Sequence, residues 1–206
     1  MTFDSQLQTL IDRGYPAALD LTPSDLTARL EPLRAIAVTL DQSEPDFEAG
    51  HIHFVIVIPG IDATTAMSIV ERRGKTGTEK LFPRQPVDFQ PTPDLGIPQG
   101  FAYLLTDIDR GRDSINVSPH DALIRITRQS RFPLTIHEGI ACVTQYPEFL
   151  AKNNCYTLAG SRHPGDKRVP AIWINAKGNP HLGWCWDGNP HTWLGTASCA
   201  RRFGFD

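Results

Sequence analysis

The chain has 206 residues, 40% hydrophobic and 21% charged, which is ordinary globular usage and excludes a fibrous or wholly disordered chain. Lys+Arg 20 against Asp+Glu 23 leaves a formal charge of -3, so there is no basic footprint for nucleic acid or an anionic membrane surface. No apolar run approaches the roughly 20 residues of a membrane span, and the opening MTFDSQLQTL lacks the regions of a signal peptide, which makes the cytoplasm the default address. One domain spanning residues 1–206 is the expected organisation at this length.

The first element is a helix, because Phe3, Leu7, Leu10 and Ile11 share a face and Gly14 with Pro16 ends the pattern. A second helix starts at the Thr22 cap, with Pro23 in its first turn, Asp25 three residues after the cap and Leu26 and Leu30 on one face; Pro32 argues against its continuation. The β-branched run from His51 to Ile58, closed by Pro59 and Gly60, predicts the first core strand, with His51 and His53 on one surface-facing side. Ile61 to Arg73 fits a strand or a helix. Gly74 to Gly100, punctuated by Pro83, Pro86, Pro91, Pro93 and Pro98, reads as a long loop, either a flap over a site or a surface excursion.

Phe101 to Ile108 predicts a second strand. Ser118-Pro119-His120-Asp121 then caps a helix carrying Ala122, Leu123 and Ile126, and the capping box Thr135-Ile136-His137-Glu138 opens another that Pro147 closes. Cys155 to Leu158, Val169 to Asn175 and His181 to Trp186 read as three strands of a C-terminal antiparallel β-meander. The expected fold is therefore α+β, with N-terminal and central helices packed on a mixed or antiparallel sheet.

All four cysteines and all four tryptophans lie in the last third, the cysteines at 142, 155, 185 and 199 with no C-x-x-C pair, which predicts reduced thiols. The densest constellation runs from Gly183 to Cys199. There Cys185 is a candidate nucleophile, His191 its base and Asp187 the group that orients the imidazole, because an adjacent imidazole stabilises a thiolate at neutral pH. Asn154, Arg162, Trp184, Trp186, Asn189 and Trp193 are candidate substrate contacts, the indoles for stacking and the amides and guanidinium for orientation. The bland alternative is a hairpin whose indoles pack the core around an inert thiol.

A second reading makes Cys155, Cys185, His191 and Cys199 a tetrahedral zinc set, although no tight ligand pair supports it and no cofactor is otherwise implied. Asp107 to Asp113 fails the calcium-loop test, since Gly111 stands where a ligand belongs and a strand precedes it; a charged strand end turning toward the Ser118 helix, with the carboxylates and Arg110 or Arg112 solvated or paired, is the simpler meaning. His137 has no second histidine four residues on, and capping accounts for Glu138. Walker, Rossmann and G-x-S-x-G signatures are absent.

The segments Pro133 to Ala141, Lys152 to Cys155, Arg168 to Ile174 and Leu182 to Gly195, with Gly14-Tyr15-Pro16 near the start, resemble an uncharacterised, mostly actinobacterial family of proteins of similar length catalogued as a domain of unknown function. The resemblance runs nearly end to end, is weakest from His51 to Pro98, and implies one unit without transferring a mechanism. The combined expectation is a protein that binds a small polar or aromatic molecule in a Trp/Cys/His pocket of the meander, with Cys185 and His191 available for nucleophilic or acid–base work. The alternatives are a noncatalytic interaction module with a Trp-rich face and a zinc-stapled structural module. Self-association is left open.

Overall fold

A computed structural model of the chain describes residues 1–205. Three helices open it, α1 (Phe3–Asp12), α2 (Tyr15–Ala18) and α3 (Pro23–Ala37). Strand β1 (His51–Val57) leads to helix α4 (Ala63–Ile69) and the short strands β2 (Glu71–Arg72), β3 (Lys75–Thr76), β4 (Thr78–Glu79) and β5 (Gln90–Pro91). Then follow β6 (Tyr103–Asp109), α5 (Pro119–Arg128), β7 (Phe132–Pro133), α6 (Ile136–Gln145), β8 (Cys155–Thr157) and β9 (Ser161–Arg162). The chain ends with β10 (Arg168–Ile174), β11 (Pro180–Trp186), β12 (Leu194–Thr196), β13 (Ser198–Cys199) and β14 (Arg201–Phe203). Among the described residues no helix is long and apolar enough to cross a membrane.

The fold is α+β with two principal sheets. One has the order β1-β6-β13-β7, with β14 also on β6; the other has the order β12-β8-β10-β11-β4. The β8-β10-β11 centre of the second sheet is the expected antiparallel meander. Its two edges are parallel additions, β12 on β8 and β4 on β11, brought from segments that local periodicity does not link.

Helix α3 runs straight through Pro32, against the expectation from sequence. Pro32 and Ala28 lie on the exposed side, so water can satisfy the Ala28 carbonyl that loses its partner, while Leu26, Leu30, Leu33 and Ala37 stay buried. Of the two arginines after β6, Arg112 is exposed, while Arg110 is 2% exposed and donates to the Phe149 and Phe47 carbonyls.

Helix α6 lies between the two sheets, packing on β1 and β10, and nine of its ten residues are buried. Its second turn approaches the C-terminal sheet closely at Gly139, where a Cβ would meet the Leu158 side chain. Tyr156 donates its hydroxyl to the Gly139 carbonyl. On the other side, the Gln6 amide closes the open edge of β1, donating to the Phe54 carbonyl and accepting from the Ile56 N–H. A contiguous apolar core takes residues from α1, α3, α6 and both sheets.

The polar centre of this core is Glu138. It completes the Thr135 capping box and also accepts from Tyr103 Oη at 2.9 Å and from both Nε and Nη2 of Arg202. Glu138 is fully buried and the Arg202 side chain is 2% exposed. Burial works against the guanidinium charge, but the Glu138 hydrogen bonds and charge outweigh it and raise the Arg202 pKa above its ordinary value. Arg202 further donates to the carbonyls of Leu95 and Pro133. One side chain thus joins β14, the proline-rich segment, β7 and α6.

Removing either member strands the other as an uncompensated buried charge. Arg202→Met is expected to lower the unfolding free energy by about 3–5 kcal/mol, read as a fall in the urea midpoint at unchanged slope. A loss below about 1 kcal/mol, the range of an exposed pair, would show that the contact is dispensable.

Candidate functional site

The outer part of the C-terminal sheet carries an aromatic cleft of about 350 Å³, lined by Trp173, Cys185, Asn189, His191, Trp193 and Leu194 with Trp184 and Trp186 beside them. Its geometry follows from strand register. Trp173 sits opposite His181 and Ala171 opposite Gly183, so Trp173, Gly183 and Cys185 project on the same side of the sheet. Gly183 has no side chain because the Trp173 ring occupies that space: a Cβ there would run into the indole. Trp173 stands edge-on to His181 at 4.8 Å and to Trp193 at 6.1 Å between ring centroids, and His191 packs on Trp193 at 5.6 Å. The result is an aromatic row with Cys185 below it.

A second aromatic group flanks the cleft. Trp184 and Trp186 meet edge-on at 5.0 Å, and the Arg168 guanidinium lies 4.8 Å from one ring centroid and 5.0 Å from the other. Arg168 also holds Asp166 through both carboxylate oxygens. Trp184 is fixed by its Nε1–H, which donates to the Phe82 carbonyl at 2.9 Å.

Six of the nine residues singled out from sequence line the cleft: Cys185, His191, Trp184, Trp186, Asn189 and Trp193. The other three lie elsewhere. Asp187 accepts from Arg162 Nη1 at 2.7 Å, and both side chains are largely buried, so their charges are spent on each other. The Asp187 backbone is held by Lys167 and His120. Asn154 forms a tight bridge with Ala151. Trp173, a strand residue with no site role expected from sequence, also lines the cleft; the glycine within the facing strand is the signal for it.

The electrostatics differ from those of a thiolate site. Burial, reinforced by the negative charge of Asp187, pushes the Cys185 thiol up to about 12. The His191 ring is shifted down by burial, and its Nε2 is buried without a hydrogen-bond partner. Both groups are therefore neutral at pH 7, and no hydrogen bond joins them among the described residues. As arranged, the cleft offers π faces and a neutral thiol, with the unpaired imidazole nitrogen closed off from solvent in its wall.

The set Cys155, Cys185, His191 and Cys199 does not converge. Cys199 lies in β13 of the first sheet while Cys155 and Cys185 lie in strands of the second. Among the described residues no group of three or more His, Cys, Asp or Glu side chains is placed to hold a metal ion. The four thiols are free and buried.

Burial raises the pKa of Cys142, Cys155 and Cys199 as it does that of Cys185, which disfavours the thiolate at all four positions in the folded protein. At pH 8 the Cys185 thiolate fraction should be on the order of a thousandfold below that of an ordinary cysteine, since its pKa is pushed up to about 12 against the usual value near 8.5. Iodoacetamide labelling followed by mass spectrometry is expected to show slow modification in the folded state and fast modification in urea. Rapid folded-state labelling confined to Cys185, abolished by Cys185→Ser, would restore the nucleophile.

No curated protein and no solved structure matches this chain. A family model does match, over residues 9–205, and therefore covers the end of α1, the other helices, both sheets and the whole cleft. The chain belongs to the family of unknown function DUF5701.

Proposed function

We propose that this protein binds a small, flat, uncharged molecule in the aromatic cleft, by stacking and one hydrogen bond and without thiolate chemistry. The observation that carries this reading is the Trp173 ring laid over Gly183 beside Trp193, with the unpartnered Nε2 of His191 at the same cleft. A buried polar atom without a partner is unfavourable in the empty protein; His191 Nε2 is closed off from solvent, so a ligand group that meets it as the ring turns toward the cleft removes that penalty. Aromatic walls with few fixed polar groups are the usual composition of a small-molecule site. Trp173, Trp193 and His191 are the residues on which binding should depend, with Cys185 as an uncharged contact and Asn189 at the rim.

A second reading, docking of a protein partner, draws on exposed apolar groups. Trp186 is 43% exposed and Phe82, whose carbonyl holds Trp184, is 74% exposed. That face would then bury Trp186 as an anchor. Phe82→Ser with Trp186→Ser should abolish such docking and leave the cleft's inner wall intact.

The probe that separates these readings is 1-naphthol, which is planar and whose hydroxyl both donates and accepts, set against its saturated counterpart 1-decalol. In NMR titrations the indole Nε1–H signals of Trp173 and Trp193 are expected to move with naphthol and not with decalol. Trp193→Leu should weaken naphthol binding by on the order of tenfold, the loss of one aromatic pair with its buried area. Equal binding of decalol, or indole signals that do not move with either compound, would contradict stacking in the cleft.

A further inference from the structure

A second cavity, larger than the aromatic cleft, lies on another part of the protein. A pocket of about 630 Å³ lies where the first turn of α6 meets the turn after β1, with residues 85–91 of the proline-rich segment as its outer wall. That volume is within the roughly 300–1,000 Å³ of small-molecule sites. The wall is built and anchored. Leu81 and Phe89 are buried, Arg84 pairs with Asp166 at 3.0 Å, and β5 adds to β9 through Gln90 opposite Arg162.

Two polar side chains inside the pocket have unused hydrogen-bonding capacity. Ser161, 2% exposed, accepts from the Ile136 N–H at 2.9 Å, and its own hydroxyl proton has no acceptor among the described residues. His137 is bound through Nε2 to the Ile61 carbonyl at 3.0 Å. A carbonyl can only accept, so Nε2 carries the proton and Nδ1 is left with a lone pair, which no group among the described residues engages. Burial lowers the His137 pKa, which keeps the ring neutral at pH 7 and Nδ1 an acceptor. The pocket therefore offers one donor and one acceptor against the apolar surfaces of Ile61 and Phe89.

Its charge selects among ligands. No lysine or arginine lines the pocket, and the one carboxylate, Asp62, stands at the rim. The hydroxyl and N–H of Thr65 lead the contacts that hold this carboxyl below its ordinary pKa, so it is ionised at neutral pH. An anion would meet a negative rim and no cation.

We propose that this pocket is a second ligand site, for small neutral or cationic molecules that present an N–H donor and a carbonyl-type acceptor, such as amides and lactams. The N–H donates to His137 Nδ1 and the carbonyl accepts from Ser161 Oγ. The site does not depend on the aromatic cleft, which shares none of its lining residues.

Three probes of one shape test this directly: benzamide (neutral), benzamidine (cationic) and benzoate (anionic), titrated into the full-length 15N-labelled protein. Benzamide is expected to shift the backbone amides of residues 60–64, 85–91 and 136–138; benzamidine, which has N–H donors for His137 Nδ1 but no acceptor for the Ser161 hydroxyl, should shift them only at higher concentration, and benzoate at the same concentration as benzamide leaves them unmoved. Ser161→Ala should weaken benzamide about fivefold, the loss of one neutral hydrogen bond. Because Ser161 also caps the Ile136 N–H, Val87→Arg supplies a second test that leaves the core alone: Val87 is 69% exposed at the rim. With a cation placed there, benzoate should gain affinity severalfold while benzamide changes little. The proposal is overturned if benzoate shifts those amides as strongly as benzamide in the wild-type protein, or if benzamide moves only the Trp173 and Trp193 indole signals. It is likewise overturned if both variants leave all three affinities unchanged.

Discussion

The structure depends on a carboxylate placed at the start of a buried helix and a guanidinium that reaches it from the end of the chain. Glu138 would be expensive to bury alone, and so would Arg202. Together, with Tyr103 and the carbonyls of Leu95 and Pro133 completing the network, they satisfy each other and specify how four distant segments meet. An apolar pair could fill the same volume, but it would not demand this register of β14 on β6. The pair fixes orientation, and the apolar core around α6 supplies the bulk of the burial.

From this centre the structure reaches two concave sites through one strap of chain. Residues 81–91 leave β4 at the edge of the C-terminal sheet, give the Phe82 carbonyl to Trp184, pair Arg84 with Asp166 and then join β9. Trp184 borders the aromatic cleft, and β9 supplies Ser161 to the larger pocket. Arg162, next along β9, binds Asp187 at the end of β11. The proline-rich segment is thus neither a free flap nor an incidental excursion. Its prolines limit the conformations of a wall that side-chain and ladder contacts then hold in place.

Local chemistry was legible in the sequence wherever the signal is local. The Thr22, Ser118 and Thr135 caps each bond the predicted N–H, and the meander strands appear within a residue or so of their expected bounds. Six of nine candidate site residues share one cleft because they lie on one strand and the loop after it. What was not legible depends on pairing at long range. Nothing near Asp187 signals that Arg162 takes its charge, and nothing near Cys185 shows that burial raises its thiol, so the nucleophile reading rested on composition alone. Glu138 was read as a cap, which it is, but its partner is 64 residues away. Ser161 and His137 meet at one pocket only because β9 runs past the first turn of α6.

The most direct test of this account is native-state hydrogen exchange of the whole chain. If α6 and its Glu138–Arg202 pair bind the two sheets into one cooperative unit, the slowest amides of α6, β6 and β10 should share a single protection free energy, and in Arg202→Met they should fall together. Amides of β8, β10 and β11 that open well below the energy of α6 and β6, and that do not respond to loss of Arg202, would contradict it.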